Sequence, residues 1–445
     1  MKPFASWRAG GRLSLYLFPF FLFFSPAPAV AGPLTLHSAL AKALAHSWDL
    51  RIASKEIDIS RYALWETRSL YFPALTIRFD NQYVEDLTTD GNNIVTVGDQ
   101  TIPIDGSTYQ HGVGIGLSYL LFDFGARELK VGNAKRDIRI AAFQAEQTLV
   151  DTRLKVLDAF ARCMEMSRRW KTGREILGHR RELYELAGRL RDSGAVGQVE
   201  VNDAALGLAE AVTEQETLRR GLEEALLNLS FFTGEDYAAE TVDFAPLPDL
   251  RGVEERPSPE FLPEIRALAE EIEKKQKEKR ILECSLLPTI SLAGSYRALG
   301  SDEDSFSISL ENLRSRDLSV ALVARWEVFS GFRDMARIRR LTAEAEQLEM
   351  EKERRLGDRR REMLAAYQTY QLAQSGEADA RRREEVLEQR AATDQRLAQQ
   401  RITDRMTWVR REIEFKEQRL AAALERMQGR LAGLRLKMWR EGEVR

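Results

Sequence analysis

His37, His46, His111 and His179 are the side chains of this 445-residue chain best suited to hold a metal or move a proton, and they are scattered. His37 and His46 fall in one predicted helix but nine residues apart, a poor spacing for a shared ion. His111 begins a predicted strand, where a surface or lumen position is expected rather than ligation. Cys163 and Cys284 are the only thiols. They read as unpaired packing residues; one disulfide between them stays open, but two cysteines are no framework. The chain has no G-x-S-x-G, P-loop, H-E-x-x-H or C-x-x-C motif. "VGIGLSY" (113–119) contains G-x-G, yet it alternates like a strand and lacks a dinucleotide-binding context. Carboxylates are plentiful on helical stretches, and nothing marks one as a general acid or base. The expectation is no enzyme, no cofactor and no metal site.

The elements around these residues speak more clearly. Charged residues make up 30% of the chain and nearly cancel, leaving a formal charge of −3. That balance argues against a nucleic-acid partner, as does the lack of a basic block interleaved with aromatics. The charges are interspersed along helical runs such as "EIEKKQKEKR" and "EMEKERRLGDRRRE", which read as solvated helix faces. At the N-terminus Lys2, Arg8 and Arg12 precede the apolar run Leu13 to Phe24, followed by Ala29-Val30-Ala31. Residues 1–31 therefore read as a secretory signal peptide cleaved before Gly32, too short to be a comfortable membrane span. No cysteine stands at the cleavage point, so no lipid anchor is expected there. Cleavage would remove three basic and no acidic residues, taking the charge to −6.

An internal repeat organises the remainder. An offset of 215 residues sets Arg51 on Arg266, Glu56 on Glu271, Ile57 on Ile272 and Pro73 on Pro288. Beyond the strands the offset becomes 207, with Phe122 on Phe329, Asp151 on Asp358, Leu157 on Leu364 and Ala159 on Ala366. It also places Arg189-Leu190 on Arg396-Leu397. The eight-residue deficit lies between paired strands, where a surface loop tolerates it. The chain thus reads as a tandem duplication, 32–248 and 264–445, with the proline-rich segment 249–263 as linker. Each copy runs helix, strand, loop, strand, long helix, turn, helix.

Strands are expected at about 74–83, 111–122, 289–298 and 318–328, each with one apolar face. Leu75, Ile77, Phe79 and Tyr83 alternate with Thr76, Arg78, Asp80 and Gln82. Val113, Ile115, Leu117, Tyr119 and Leu121 alternate with glycines and Ser118. The copy-two strands alternate likewise, through Ile290, Leu292 and Tyr296 and through Leu318, Val320, Leu322, Trp326 and Val328. About ten residues suffice to cross a bilayer at barrel tilt. Tyr83, Tyr119, Tyr296 and Trp326 are then the expected aromatic girdle, and the glycines make room in a crowded lumen. The competing reading is a small soluble sheet packed on helices. "FSISL" (306–310) also alternates and is expected to extend a hairpin. Four strands cannot close a barrel and open edges are costly in lipid, so other subunits must supply the remaining strands.

From Gly125 to Asp192 a helical pattern runs unbroken, with Ile138, Ala142, Ala145, Leu149, Val156, Ala159, Cys163, Met166, Trp170 and Leu177 in one row. Such a helix would reach on the order of 100 Å. "DSGAVGQVEV" (192–201) breaks it, and a return helix carries Ala204, Leu208, Ala211, Leu218, Leu222, Ala225 and Leu229 on one stripe. The hairpins span about 125–230 and 332–438, the second turning near "QRITDRMTW" (400–408). Their length suits a spacer that crosses a compartment.

With these features in order, the chain resembles the TolC family of outer-membrane efflux and secretion channels. The likeness rests on the helix-Pro-strand steps at Phe72-Pro73 and Leu287-Pro288, and on the strand exits "LFDFGAR" and "VFSGFR". The two tip turns and "LSFFTGED" (229–236) carry it further. The resemblance implies a mainly α fold with a small β part, tandem-duplicated, with long coiled-coil hairpins and four transmembrane strands per subunit. It implies a homotrimer with a twelve-stranded barrel in outer-membrane lipid and a helical tunnel in the Gram-negative periplasm. Such a tunnel docks on a periplasmic adaptor (membrane fusion) protein and an inner-membrane transporter. By the same analogy Ser193, Gly194, Ala195 and Val196 form one adaptor contact, and Arg401, Ile402 and Thr403 the other. Glu200, Asp203, Thr407 and Arg410 would ring the periplasmic aperture. Two departures stand out: Arg401 replaces a glycine common in family tips, and Thr407 and Arg410 stand where some members carry acids. Arg410, with Arg411, is expected to lower cation preference. The alternative is a periplasmic coiled-coil adaptor or structural protein, which would not need four lipid-facing strands.

Overall fold

The computed structural model describes residues 33–84, 94–97, 100–103, 108–248, 258–302, 305–311, 313, 315–400 and 404–441. The expected leader 1–31, linker residues 249–257, and Arg401, Ile402 and Thr403 lie outside the described residues. Two short helices come first, α1 (Leu36–His46) and α2 (Trp48–Arg68). Thr35 caps α1, its Oγ1 accepting the Ser38 N–H, and Ser47 caps α2 by accepting from Leu50. A 3-10 turn over 69–71 ends α2 just before Phe72-Pro73, since a residue preceding proline is pushed out of the helical region. Helix α5 (Pro263–Ser285) stops ahead of Leu287-Pro288 for the same reason.

From these stops run β1 (Ala74–Val84), β4 (Thr108–Phe122), β5 (Thr289–Asp302) and β6 (Ser315–Arg325). They form one antiparallel sheet in the order β1-β4-β5-β6. A two-stranded ribbon, β2 (Ile94–Val97) and β3 (Gln100–Pro103), lies between β1 and β4 in sequence, within the segment that the sequence pattern reads as loop. Register carries the apolar face across all four strands: Ile77 pairs with Ile115, Ile115 with Tyr296, and Tyr296 with Leu318. That face is bare, with Leu75 67%, Phe79 70% and Leu318 77% exposed. A small soluble sheet would bury such residues against its helices, so the competing reading fails.

The stretch 306–310 corrects one expectation. It forms helix α6 (Phe306–Glu311), not a hairpin extension. Five alternating residues are too few to fix a period, and polar caps decide instead. The Ser305 N–H donates to Asp302 Oδ1 at 2.8 Å, while Ser305 Oγ accepts the Ile308 N–H at 3.4 Å. Phe306 then stands edge-on to His111 at 4.4 Å. His111 is consequently buried, with Nδ1 2.7 Å from Asn81 Oδ1, rather than at a surface or in a lumen.

The long helices are α3 (Ala126–Asp192) and α7 (Arg333–Gln399), 67 residues each. Their return partners are α4 (Gln198–Thr233) and α8 (Arg405–Glu441). The largest core joins α1, α3, α4 and α8, with Leu157, Phe160, Cys163, Leu222, Leu226 and Leu229 at its centre. Segment 234–248 straps across it, hydrogen bonding Leu34 to Asp243 and Ala245. Many charges expected on solvated faces cross between helices instead. Arg139 meets Glu270 through two bonds of 2.9 and 2.8 Å, and Lys274 meets Asp137 at 2.6 Å, joining α3 to α5. Arg359 and Glu264 join α7 to α5. Interspersed charge of both signs on neighbouring helices lets each find a partner across the seam.

Candidate channel elements: sheet, junctions and hairpin tips

One sheet face carries Thr76, Arg78, Asp80, Gly112, Gly114, Gly116, Ser295 and Arg297, the opposite face from the apolar rows. A methyl group on Gly116 would come within 2.8 Å of Thr76 Oγ1, so the glycine row does save room between neighbouring polar side chains. Of the expected girdle, Tyr83 lies at the end of the sheet far from the long helices, and its ring packs on Tyr109 at 4.8 Å. Tyr119 lies at the helix-proximal end. Trp326 follows β6 there and donates its indole N–H to the Leu286 carbonyl at 3.0 Å. Tyr296 differs: its pairing with Ile115 and Leu318 puts it mid-strand, because β5 runs to Asp302, past the expected end. Tyr109 takes the rim position, and the period-two row Tyr109, His111, Val113 could have shown it.

The β4-to-α3 junction is a compact charged knot. Asp123 accepts the Arg127 backbone N–H at 2.9 Å and its Nε–H at 3.1 Å. The guanidinium also donates to the carbonyls of Leu120 at 2.7 Å and Leu121 at 3.0 Å. Both side chains are about nine-tenths buried, and the Tyr71 ring covers the guanidinium at 5.1 Å. The Leu120 and Leu121 carbonyls near the strand end are thus satisfied before the helix begins.

At the far end of the helices, residues 193–196 form one tight turn. The Ala195 N–H bonds the Leu190 carbonyl and the Gly194 N–H that of Arg191, both at 2.8 Å. This pair of bonds needs a left-handed residue after the cap, and Gly194 supplies φ +77°. Ser193 Oγ donates to the Leu190 carbonyl, and Val196 packs on the core beneath. That core brings both hairpins together through Leu183, Ala187, Val201, Ala204, Met406, Val409 and Ile413. Of the expected aperture residues, Asp203 and Arg410 are exposed and Glu200 is half-buried. Thr407 is engaged locally: its N–H bonds Asp404 Oδ1 at 2.9 Å and its hydroxyl bonds Oδ2, capping α8. These bonds hold the Asp404 carboxyl below the usual carboxylate range. Arg411 pairs with Asp394 at 2.7 Å, so its charge is matched by a direct ion pair.

Sequence reasoning missed the ties between the hairpins. Arg405 Nε donates to Glu182 at 2.7 Å while its guanidinium lies over Trp408 at 4.1 Å. Farther up, Lys416 meets Glu175 at 2.6 Å. More than 220 residues separate Glu182 from Arg405, and periodicity within one helix says nothing about such pairs. Among the described residues no group of His, Cys, Asp and Glu could hold a metal, and both cysteines are free.

Residues 39–235 match the family described as outer membrane efflux protein. The family match lies in the first repeat; likeness of fold extends over both. The outer membrane protein VceC of Vibrio cholerae superposes with a TM-score of 0.72 at 15% identity, covering 92% of this chain and 96% of that one. The outer-membrane channel OprN gives 0.70 at 20% identity, with 90% and 89% covered. The CmeC outer membrane channel of Campylobacter jejuni gives 0.71 at 14%, with 92% and 86% covered. No curated protein matches in sequence. The fold is therefore the one these outer-membrane channels share.

Proposed function

We propose that three copies of this protein close a twelve-stranded barrel, continuous with a helical tunnel, as the passive exit duct of a tripartite efflux or type I secretion system. The barrel lies in the Gram-negative outer membrane, and the helices extend into the periplasm toward an adaptor protein and an inner-membrane transporter. One observation carries the reading: the protomer ends on both sides in unfinished surface. β1 and β6 are the two free edges of the sheet. Below β1, helix α2 exposes Trp48, Ile52, Ile59, Tyr62 and Trp65; below β6, helix α7 exposes Met335, Met350, Leu364, Leu372 and Val386. Backbone groups left open in lipid cost several kcal/mol each, so pairing β6 of one copy with β1 of the next removes that cost all round.

The tips at 193–196 and 401–403 are the proposed adaptor contacts, with Glu200, Asp203 and Arg410 at the aperture. Electrophoresis of the outer-membrane fraction tests the assembly: a trimer that dissociates only on boiling is expected. A monomer in the periplasmic extract would instead establish the adaptor reading.

A further inference from the structure

A cavity of about 200 Å³ opens between α3, α8 and the end of segment 234–248. Three of its seven lining residues are arginines: Arg168 from α3, and Arg426 and Arg430 from α8. Met164, Leu247, Ala423 and Met427 form the apolar walls. Arg426 is matched by Glu384 of α7 through two bonds of 2.8 and 2.9 Å. Arg430 donates to the Leu247 carbonyl at 3.1 Å. Arg168 is the anomaly. Its one hydrogen bond among the described residues is a long one, 3.4 Å, to the Ala423 carbonyl. Burial, and then the charges of Arg426 and Arg430, push its acidity the unfavourable way for a cation.

A half-buried guanidinium facing two like charges costs stability unless an anion answers it. Guanidinium forks match the oxygens of phosphate and carboxylate in pairs, and apolar walls strengthen such bonds by excluding water. We propose that the Arg168–Arg426–Arg430 cavity binds an oxyanion, a phosphate or carboxylate group, at the middle of the helical tunnel wall. The site lies well away from both the sheet and the hairpin tips, and the channel function does not call for it.

Thermal unfolding of the purified full-length protein, titrated with inorganic phosphate against chloride at equal ionic strength, tests this. Phosphate is expected to raise the melting temperature of the wild type saturably. In Arg168→Met the melting temperature without phosphate should equal or exceed that of the wild type, because a repulsion is gone. Phosphate affinity should fall about tenfold or more, the loss of one charged bidentate contact. Arg162→Met, on the same helix but exposed and paired with Glu165, should keep the full response. A parallel titration with succinate ranks carboxylate against phosphate, and an Arg168-dependent response to either supports the site. No response beyond chloride, or an equal response in Arg168→Met, overturns it. A lower melting temperature in Arg168→Met without phosphate also overturns it, marking the arginine as a structural cation.

Discussion

Between β4 and α3 the chain turns through Phe124 (φ +53°) and Gly125 (φ +84°); between β6 and α7 it turns through Gly331 and Phe332, both at φ +63°. The two copies use the same pair of left-handed residues in opposite order. A phenylalanine in that conformation is strained on the order of 1 kcal/mol or more, so each junction needs compensation from its surroundings. The first has it within the chain, in the buried Asp123–Arg127 pair and its bonds to strand carbonyls. The second does not: Arg333 pairs with Glu327 and Asp334 at an open surface, and Phe329 and Phe332 are 71% and 76% exposed. Their place in the sheet explains the difference. β4 has neighbours on both sides, whereas β6 is an edge. The junction after the inner strand is thus finished within the chain, and the junction after the edge strand is left open.

Removing an arginine from each junction tests this contrast most severely. Arg127→Met leaves Asp123 buried and unpaired and should cost on the order of 3–5 kcal/mol. Arg333→Met removes an exposed pair and should cost far less than Arg127→Met. Equal losses in unfolding experiments on the two variants would erase the distinction between the inner-strand and edge-strand junctions. Assembly comes next. Phe332→Asp, alone or with Leu364→Asp, should cut the yield of boiling-sensitive trimer about tenfold, as expected of a charge placed in a packed interface, while far-ultraviolet circular dichroism of the monomer stays helical. Unchanged trimer would mean that this face is not covered by a neighbour.

The tips extend the comparison at smaller magnitude. Gly194→Ala should cost about 1 kcal/mol through its left-handed backbone, and Asp404→Ala about 1 kcal/mol through the lost cap of α8. Asp404 also carries a pH signature. Its carboxyl is held low by the Thr407 hydroxyl and backbone N–H bonds, so the folded state favours the ionised form. The stabilisation is complete above the ordinary carboxylate range and fades as pH falls through the lowered value. Amide exchange in the first turn of α8 should therefore accelerate in acid in the wild type and show no such step in Asp404→Ala. In planar bilayers, Arg410→Ala should raise the cation preference of the open channel a few-fold, on the order of 1 kcal/mol for a charge in a narrow aqueous pore. A strong cation selectivity unmoved by this variant removes Arg410 from the aperture.

Thiol labelling gives the smallest effect. Cys163 donates to the Ala225 carbonyl at 3.1 Å, and burial pushes its thiol up to about 12. It should label only after unfolding, whereas Cys284, half-buried at the junction beneath β5, should label in the native protein.

Local order determined much of this protein directly. Proline at 73 and 288 ended two helices, alternation set which face of each strand is apolar, and the 207-residue offset set two helices of equal length at 126 and 333. Glycine at 194 defined one tip turn. These features depend on neighbours within a few residues, where backbone sterics and side-chain period act. Tertiary structure decided what depends on partners remote in the chain. It turned 306–311 into a helix over His111, placed Tyr296 at mid-strand, and tied Glu182 to Arg405 across the tips. It also gathered Arg168, Arg426 and Arg430 around one cavity. No spacing rule could have named these pairs, because the energy of a charge or a ring is set by whatever the fold brings beside it.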